Sequence, residues 1–289
     1  MKVRRDKRVG QICDRIEKKS NNGTRKVWIT FLVYFVLYLL VCLIFKDQQF
    51  LWLLLSVLSI GISIYLLAKN KFPKGKALLL PTLFAVLYII STILNFNWIG
   101  TGLGVCNVFL SYCAVISTYK SVIGEDFEWV RRKKKSDVFK SILIGIGVGI
   151  VWGSINYLLM KGSNPIVPSN IGKALIVSLN PAIAEEIADR TLFLAFCIYA
   201  VKGIPTTPKE NFTCWFMMIV PHILPHMMFS LEGGLVNALI SFVIYLLLYI
   251  VIFGFVFAFL QRKRDLLSAM VAHGLVDAIR FSIFGLPFY

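Results

Sequence analysis

The chain has 289 residues, 57% of them hydrophobic, and a formal net charge of +16. Its mean hydropathy of +0.74 excludes an ordinary soluble domain, a disordered chain and a small disulfide scaffold. The charge does not point to nucleic acid, because ten of the 31 basic residues fall in the first 26 positions and the rest favour the loops between apolar segments.

A membrane helix needs about 20 apolar residues. On that basis the sequence predicts an all-α, polytopic membrane helical bundle of about 8–9 transmembrane helices. The segments are 27–45, 50–68, 77–96, 98–117, 138–160, 171–201, 212–230, 235–260 and 266–288, the last interrupted by His273, Asp277 and Arg280. Three regions follow: a basic tail (1–26), a four-span membrane region with a basic linker (27–137), and a membrane domain (138–289).

Alternate loops are basic. One set carries Lys69, Lys71, Lys74 and Lys76, then Arg131 to Lys135, then Lys202 and Lys209, then Arg262, Lys263 and Arg264. The other set carries Lys46 with Asp47, Lys161 with Lys173, and Glu232. The positive-inside rule then predicts a multi-pass protein of the cell membrane with a cytoplasmic amino terminus. The tail is expected to contact anionic membrane lipids, at about 1 kcal/mol per basic residue near the surface. Val9, Ile12 and Ile16 would form one face of a short interfacial helix. No small-x-small site follows the first span, which therefore reads as a retained anchor. The six cysteines form no Cys-x-x-Cys pair and read as packing residues.

The first four spans carry no ionisable residue at depth. The sixth segment is different, because Glu185, Glu186, Asp189 and Arg190 lie between aliphatic runs. At about 2.5–3.5 kcal/mol per buried ionisable group, this turn costs on the order of 10 kcal/mol before any pairing. Packing alone rarely requires that. Asn180–Pro181 is a good helix start, so a break is expected there, with the acidic turn just inside a new helix. Residues four apart share a helix face, so Glu186 should pair with Arg190, while Glu185 stays free and faces Asp189. A carboxyl group in such surroundings suits general acid–base chemistry. The bland alternative is an ion-pair network that only locks helices together.

All three histidines lie in apolar segments. His222 and His226 are four apart in the seventh segment, each preceded by a proline, which predicts a kink there. His273 and Asp277 are four apart in the ninth, a spacing at which the carboxylate can orient the ring. His-x-x-x-His is also zinc-ligand spacing, yet position 223 is Ile, where the zincin pattern has a glutamate. Zinc stays as an alternative, and no tightly bound zinc is expected. No cofactor is otherwise implied, and no Gly-x-Ser-x-Gly or Cys–His arrangement supports a covalent nucleophile.

Three motifs in order, Glu185-Glu186-x-x-x-Arg190, His222-x-x-x-His226 and His273-x-x-x-Asp277, resemble the CAAX protease and bacteriocin-processing (Abi) family of intramembrane endopeptidases. The resemblance covers about residues 138–289. It implies peptide-bond hydrolysis without a covalent intermediate. Glu185 would activate a water molecule with help from His226, His273 and residue 277 would stabilise the oxyanion, and Glu186 with Arg190 would hold the geometry. The chain departs from the family pattern in three ways. His222 replaces an aromatic, Asp189 and Thr191 flank Arg190 where an aromatic and a glycine are usual, and an ionised Asp277 cannot donate to an oxyanion. With straight helices His226 and His273 would lie at different depths, so broken or shifted helices are expected.

The leading expectation is therefore a glutamate-type intramembrane endopeptidase acting on a peptide or small membrane-associated protein, with no nucleic-acid partner. Its alternatives are a non-catalytic protein of the same fold (bacteriocin self-immunity, or binding of a membrane partner), a zinc-dependent version of the protease, and a proton-coupled transporter. Against transport, no halved repeat is evident.

Overall fold

The computed structural model describes residues 2–95, 97–131, 134–231 and 233–287, with side chains described from Gly23 onward except at Asn95. Arg132, Lys133 and Glu232, used above to read topology, lie outside the described residues, as do the side chains of Val9, Ile12 and Ile16.

The described residues contain helices and no strand. In chain order these are α1 (Lys2–Ile44), α2 (Gln48–Asn70), α3 (Leu79–Thr92), α4 (Trp98–Thr118), α5 (Lys135–Met160), α6 (Ile171–Glu186), α7 (Leu192–Val201), α8 (Pro208–Ile223), α9 (Leu235–Tyr249), α10 (Phe255–Lys263) and α11 (Leu266–Phe284). A π-turn at Ile187–Thr191 joins α6 to α7, and another at Ile250–Gly254 joins α9 to α10. Nine rods result, one for each apolar segment of the sequence.

Seven of these rods are long and apolar enough to cross a membrane. The other two, α6–α7 and α8, hold the carboxylates, Arg190 and two of the histidines. The outward faces are greasy. Along α9 only Ala238 is buried, while Val236, Leu239, Ile240, Val243 and Leu247 are exposed. Water would not tolerate such a stripe, whereas lipid does. The chain is an all-α, multi-pass membrane protein.

Two boundaries differ from the sequence reading. The break expected at Asn180–Pro181 is absent: α6 starts at Ile171, where the Asn170 side chain accepts from the backbone N–H groups of Gly172 (2.9 Å) and Lys173 (3.2 Å), and runs through Pro181. The irregularity falls at the π-turn six residues later, where Leu192 N–H reaches back to the carbonyl of Ile187. A π-turn puts five residues into one hydrogen-bonded loop and is often found at functional sites. Secondly, α8 begins at Pro208 rather than 212, fixed by a reciprocal capping box between Thr207 and Glu210 with proline at the first turn.

α5 and α11 pack very closely. A Cβ on Gly149 would lie 2.8 Å from Cβ of Leu275 and 3.0 Å from the carbonyl oxygen of Ala272. Gly145 and Gly153 meet Val271 and Ile279 in the same way, so the glycine row of α5 fixes the helix that carries His273.

Candidate active site

The site is built around the carboxylate of Glu186, which is fully buried together with Arg190. The two pair across one turn, as their spacing predicts. Nδ1 of His273 lies 2.7 Å from Oε1 of Glu186, and Nε2 of Gln261 donates to Oε2 at 2.5 Å and to the Glu186 carbonyl at 2.9 Å. The Thr191 hydroxyl donates to that same carbonyl at 2.6 Å, which satisfies an acceptor that the π-turn displaces from the regular helix ladder. Four side chains from three neighbouring elements thus converge on one glutamate. Buried charge of this kind persists only when paired and hydrogen-bonded.

Glu185 is employed differently. Its Oε2 lies 3.1 Å from Nε2 of His222 and 3.4 Å from Nε2 of His273, yet that oxygen has no aligned hydrogen bond among the described residues. It sits between two imidazoles, close to both and committed to neither. Asp189 accepts from the Ser59 hydroxyl at 3.3 Å and stands 3.9 Å from Nδ1 of His222.

His273 is held on three sides. Its ring stacks on Phe257 (centroids 4.4 Å apart), Nδ1 meets Glu186, and Nε2 lies 3.4 Å from Oδ2 of Asp277. With Glu186 ionised against Arg190, Nδ1 must carry the proton shared with it, which leaves Nε2 toward Glu185 and Asp277. Asp277 is itself 3.8 Å from Arg280. It is placed to orient His273.

His222 and His226 come from the two ends of a structural change. α8 runs regularly through Pro221 and then tightens into a 3-10 turn at Leu224–His226, as proline at 225 requires a departure from the α ladder. The carbonyls near this end are taken up by α1 and α2: Tyr34 donates to Pro221 O (3.1 Å), Tyr38 to Met227 O (3.0 Å) and Gln48 to Pro225 O (2.7 Å). Trp52 packs edge-on against His226, with centroids 4.8 Å apart. The rings of His222 and His226 are 5.1 Å apart, and those of His222 and His273 are 6.5 Å apart. His222 therefore stands between the other two.

The turn between α10 and α11 is pinned to the first turns of α5. Asp265 accepts from Ser141, two turns into α5, at 2.6 Å, and Arg264 donates to the carbonyl of Asp137.

All eight residues singled out in the sequence, Glu185, Glu186, Asp189, Arg190, His222, His226, His273 and Asp277, lie in this one cluster. Ser59, Trp52, Gln261 and Phe257 also belong to it and escaped the sequence reading, since neutral residues in a span carry no visible cost. His226 lines a cavity of about 430 Å³ together with Met227, Phe229, Phe242 and Tyr249. At the opposite end of α8, Thr191 and Gln261 line a second, more polar cavity of about 980 Å³ with Arg262 and Arg264. The donor set also includes a metal-competent group, because ligand atoms of Glu185, His222 and His226 lie within 4.8 Å of one another.

No protein-family profile, no curated protein and no solved structure matches the chain.

Proposed function

We propose that the protein is an intramembrane endopeptidase of the glutamate type, similar to the CAAX protease and bacteriocin-processing family, that cleaves a peptide or small membrane-associated protein. The observation that carries this reading is the unequal use of two adjacent glutamates. Glu186 is saturated by Arg190, His273 and Gln261, whereas Oε2 of Glu185 lies between two imidazoles without an aligned hydrogen bond. A locking network would use both.

In this reading Glu185 takes a proton from a water molecule, and the resulting hydroxide attacks the peptide carbonyl. The oxyanion forms beside Nε2 of His273, which in the imidazolium form donates to it while Nδ1 stays on Glu186. Glu185 then returns the proton to the leaving amine. His226, on the wall of the cavity of about 430 Å³, would meet substrate arriving there. The cavity wall mixes Phe229, Phe242 and Tyr249 with Ser230, Asn237 and Ser241, which suits a peptide segment with apolar side chains and polar backbone groups.

The basic alternate loops support a cytoplasmic amino terminus and the cell membrane as location. A test is comparison of the membrane-associated peptides of cells making the wild type and Glu185→Gln. New carboxyl termini that appear with the wild type and vanish with the variant support the reading. Identical peptide sets contradict it and favour a binding role for the same cluster.

A further inference from the structure

We infer that Glu185, His222 and His226 form a switch site for a single divalent transition-metal ion, with Zn2+ as its representative, and that occupancy turns the site off. The metal half stands on the ligand geometry alone. The regulatory half rests on the reading of Glu185 as the base, because a carboxylate bound to a metal ion is not free to take a proton from water.

Two imidazoles and one carboxylate form a familiar three-ligand zinc set, which leaves a fourth position open. Bond lengths near 2.0–2.2 Å in a tetrahedron require ligand atoms about 3.3 Å apart. Nε2 of His222 and Oε2 of Glu185 already stand at 3.1 Å, and the three ligand atoms lie within 4.8 Å of one another, so His226 needs to close by at most about 1.5 Å. The 3-10 turn that carries His226 follows α8, and the backbone is extended at Met227, so a shift there disturbs no long helix and is taken up by the side chains of Tyr38 and Gln48, which hold the carbonyls of Met227 and Pro225.

A second observation points to a ligand. Among the described residues Oε2 of Glu185, itself a ligand atom of the proposed site, has no hydrogen-bond partner, and a bound cation would satisfy it. His222 is 2% exposed, and its Nδ1, on the far side of the ring from Nε2, is also without a hydrogen bond among the described residues. Asp189, 3.9 Å from Nδ1 of His222, is placed as the outer carboxylate that orients a metal-bound imidazole through its far nitrogen. The cavity of about 430 Å³ beside His226 supplies an entry path.

The purified full-length protein in detergent, stripped with chelator, is titrated with Zn2+ in competition with a chromophoric chelator. The expected result is one saturable equivalent in the wild type and in Asp277→Asn. Affinity should weaken at least about tenfold in Glu185→Gln, His222→Phe and His226→Phe, since even an outer partner is worth roughly 10–100-fold. Co2+ in the wild type gives a second readout that needs no variant, namely visible absorption bands of a four-coordinate site that one equivalent of Zn2+ bleaches. Absence of saturable binding in the wild type, or equal affinity in all three ligand variants, overturns the site. In a cleavage assay one equivalent of Zn2+ should suppress product at least about tenfold, with recovery on chelation. Cleavage that rises with Zn2+ overturns the switch and makes this a metallopeptidase. No cleavage at any metal level removes the peptidase reading and the switch with it, while the titration still decides the metal site.

Discussion

Nδ1 of His273 on α11 lies 2.7 Å from Oε1 of Glu186 on α6, so one buried carboxylate ties together the helix that bears the acidic turn and the helix that bears the last histidine. Arg190 reaches the same oxygen, and Gln261 holds the other. This arrangement divides the labour between two glutamates that are neighbours in sequence.

Glu186→Gln and Arg190→Leu should each lower stability in detergent by about 3–5 kcal/mol, because each leaves a buried charge without its partner. Glu185→Gln should cost far less, since its Oε2 has no aligned hydrogen bond to lose. Thermal unfolding of the three purified variants checks this. Equal losses would show that the two glutamates have the same role.

Gln261→Leu removes the donor to Oε2 and to the backbone carbonyl of Glu186. The expected cost is about 1.5–3 kcal/mol, the range for a hydrogen bond to a charged group. In a double-mutant cycle with Glu186→Gln the two effects should be clearly non-additive, as they share one contact. Simple additivity would mean that Gln261 does not support that carboxylate.

Gly149→Leu should push α11 away from α5, since even a Cβ there would sit 2.8 Å from Leu275. Gly147, on another face with open space around it, should accept the same substitution with little change. Comparing the folded fraction of the two variants by size-exclusion chromatography tests whether the glycine row fixes the helix of His273.

Much of this architecture was legible in the sequence because a membrane span needs an apolar run, and nine such runs became nine rods. The site was legible for the converse reason: each charge or histidine in such a run stands out by its cost. The Glu186–Arg190 pair followed from four-residue spacing alone. Asn180–Pro181 misled, because a proline within α6 is tolerated by its packed surroundings, and the distortion falls instead at Ile187–Thr191, where no residue type announces a π-turn. The start of α8 is carried by Thr207 and Glu210, three apart before an apolar run, a capping signal that lies upstream of the apolar segment itself. The contributions of Trp52 and Ser59 were not legible at all. They come from the first four spans, and only tertiary packing brings α2 against Asp189 and His226.

Reporter fusions at Lys74 and Lys263 should report the cytoplasm, and fusions at Gly162 and Gly233 the opposite side, if the basic loops set orientation. Lys263 and Gly233 flank the rod formed by α9 and α10, so the same side for both would mean that this rod does not cross the membrane.

The most direct test of the account is peptide cleavage by the purified protein in liposomes, with wild type, Glu185→Gln and Glu186→Gln assayed beside their unfolding curves. The account predicts that Glu185→Gln stays folded and loses cleavage by roughly 10²–10⁴-fold, the usual worth of a general base, whereas Glu186→Gln loses activity together with its fold. A folded Glu185→Gln that cleaves at the wild-type rate would contradict it.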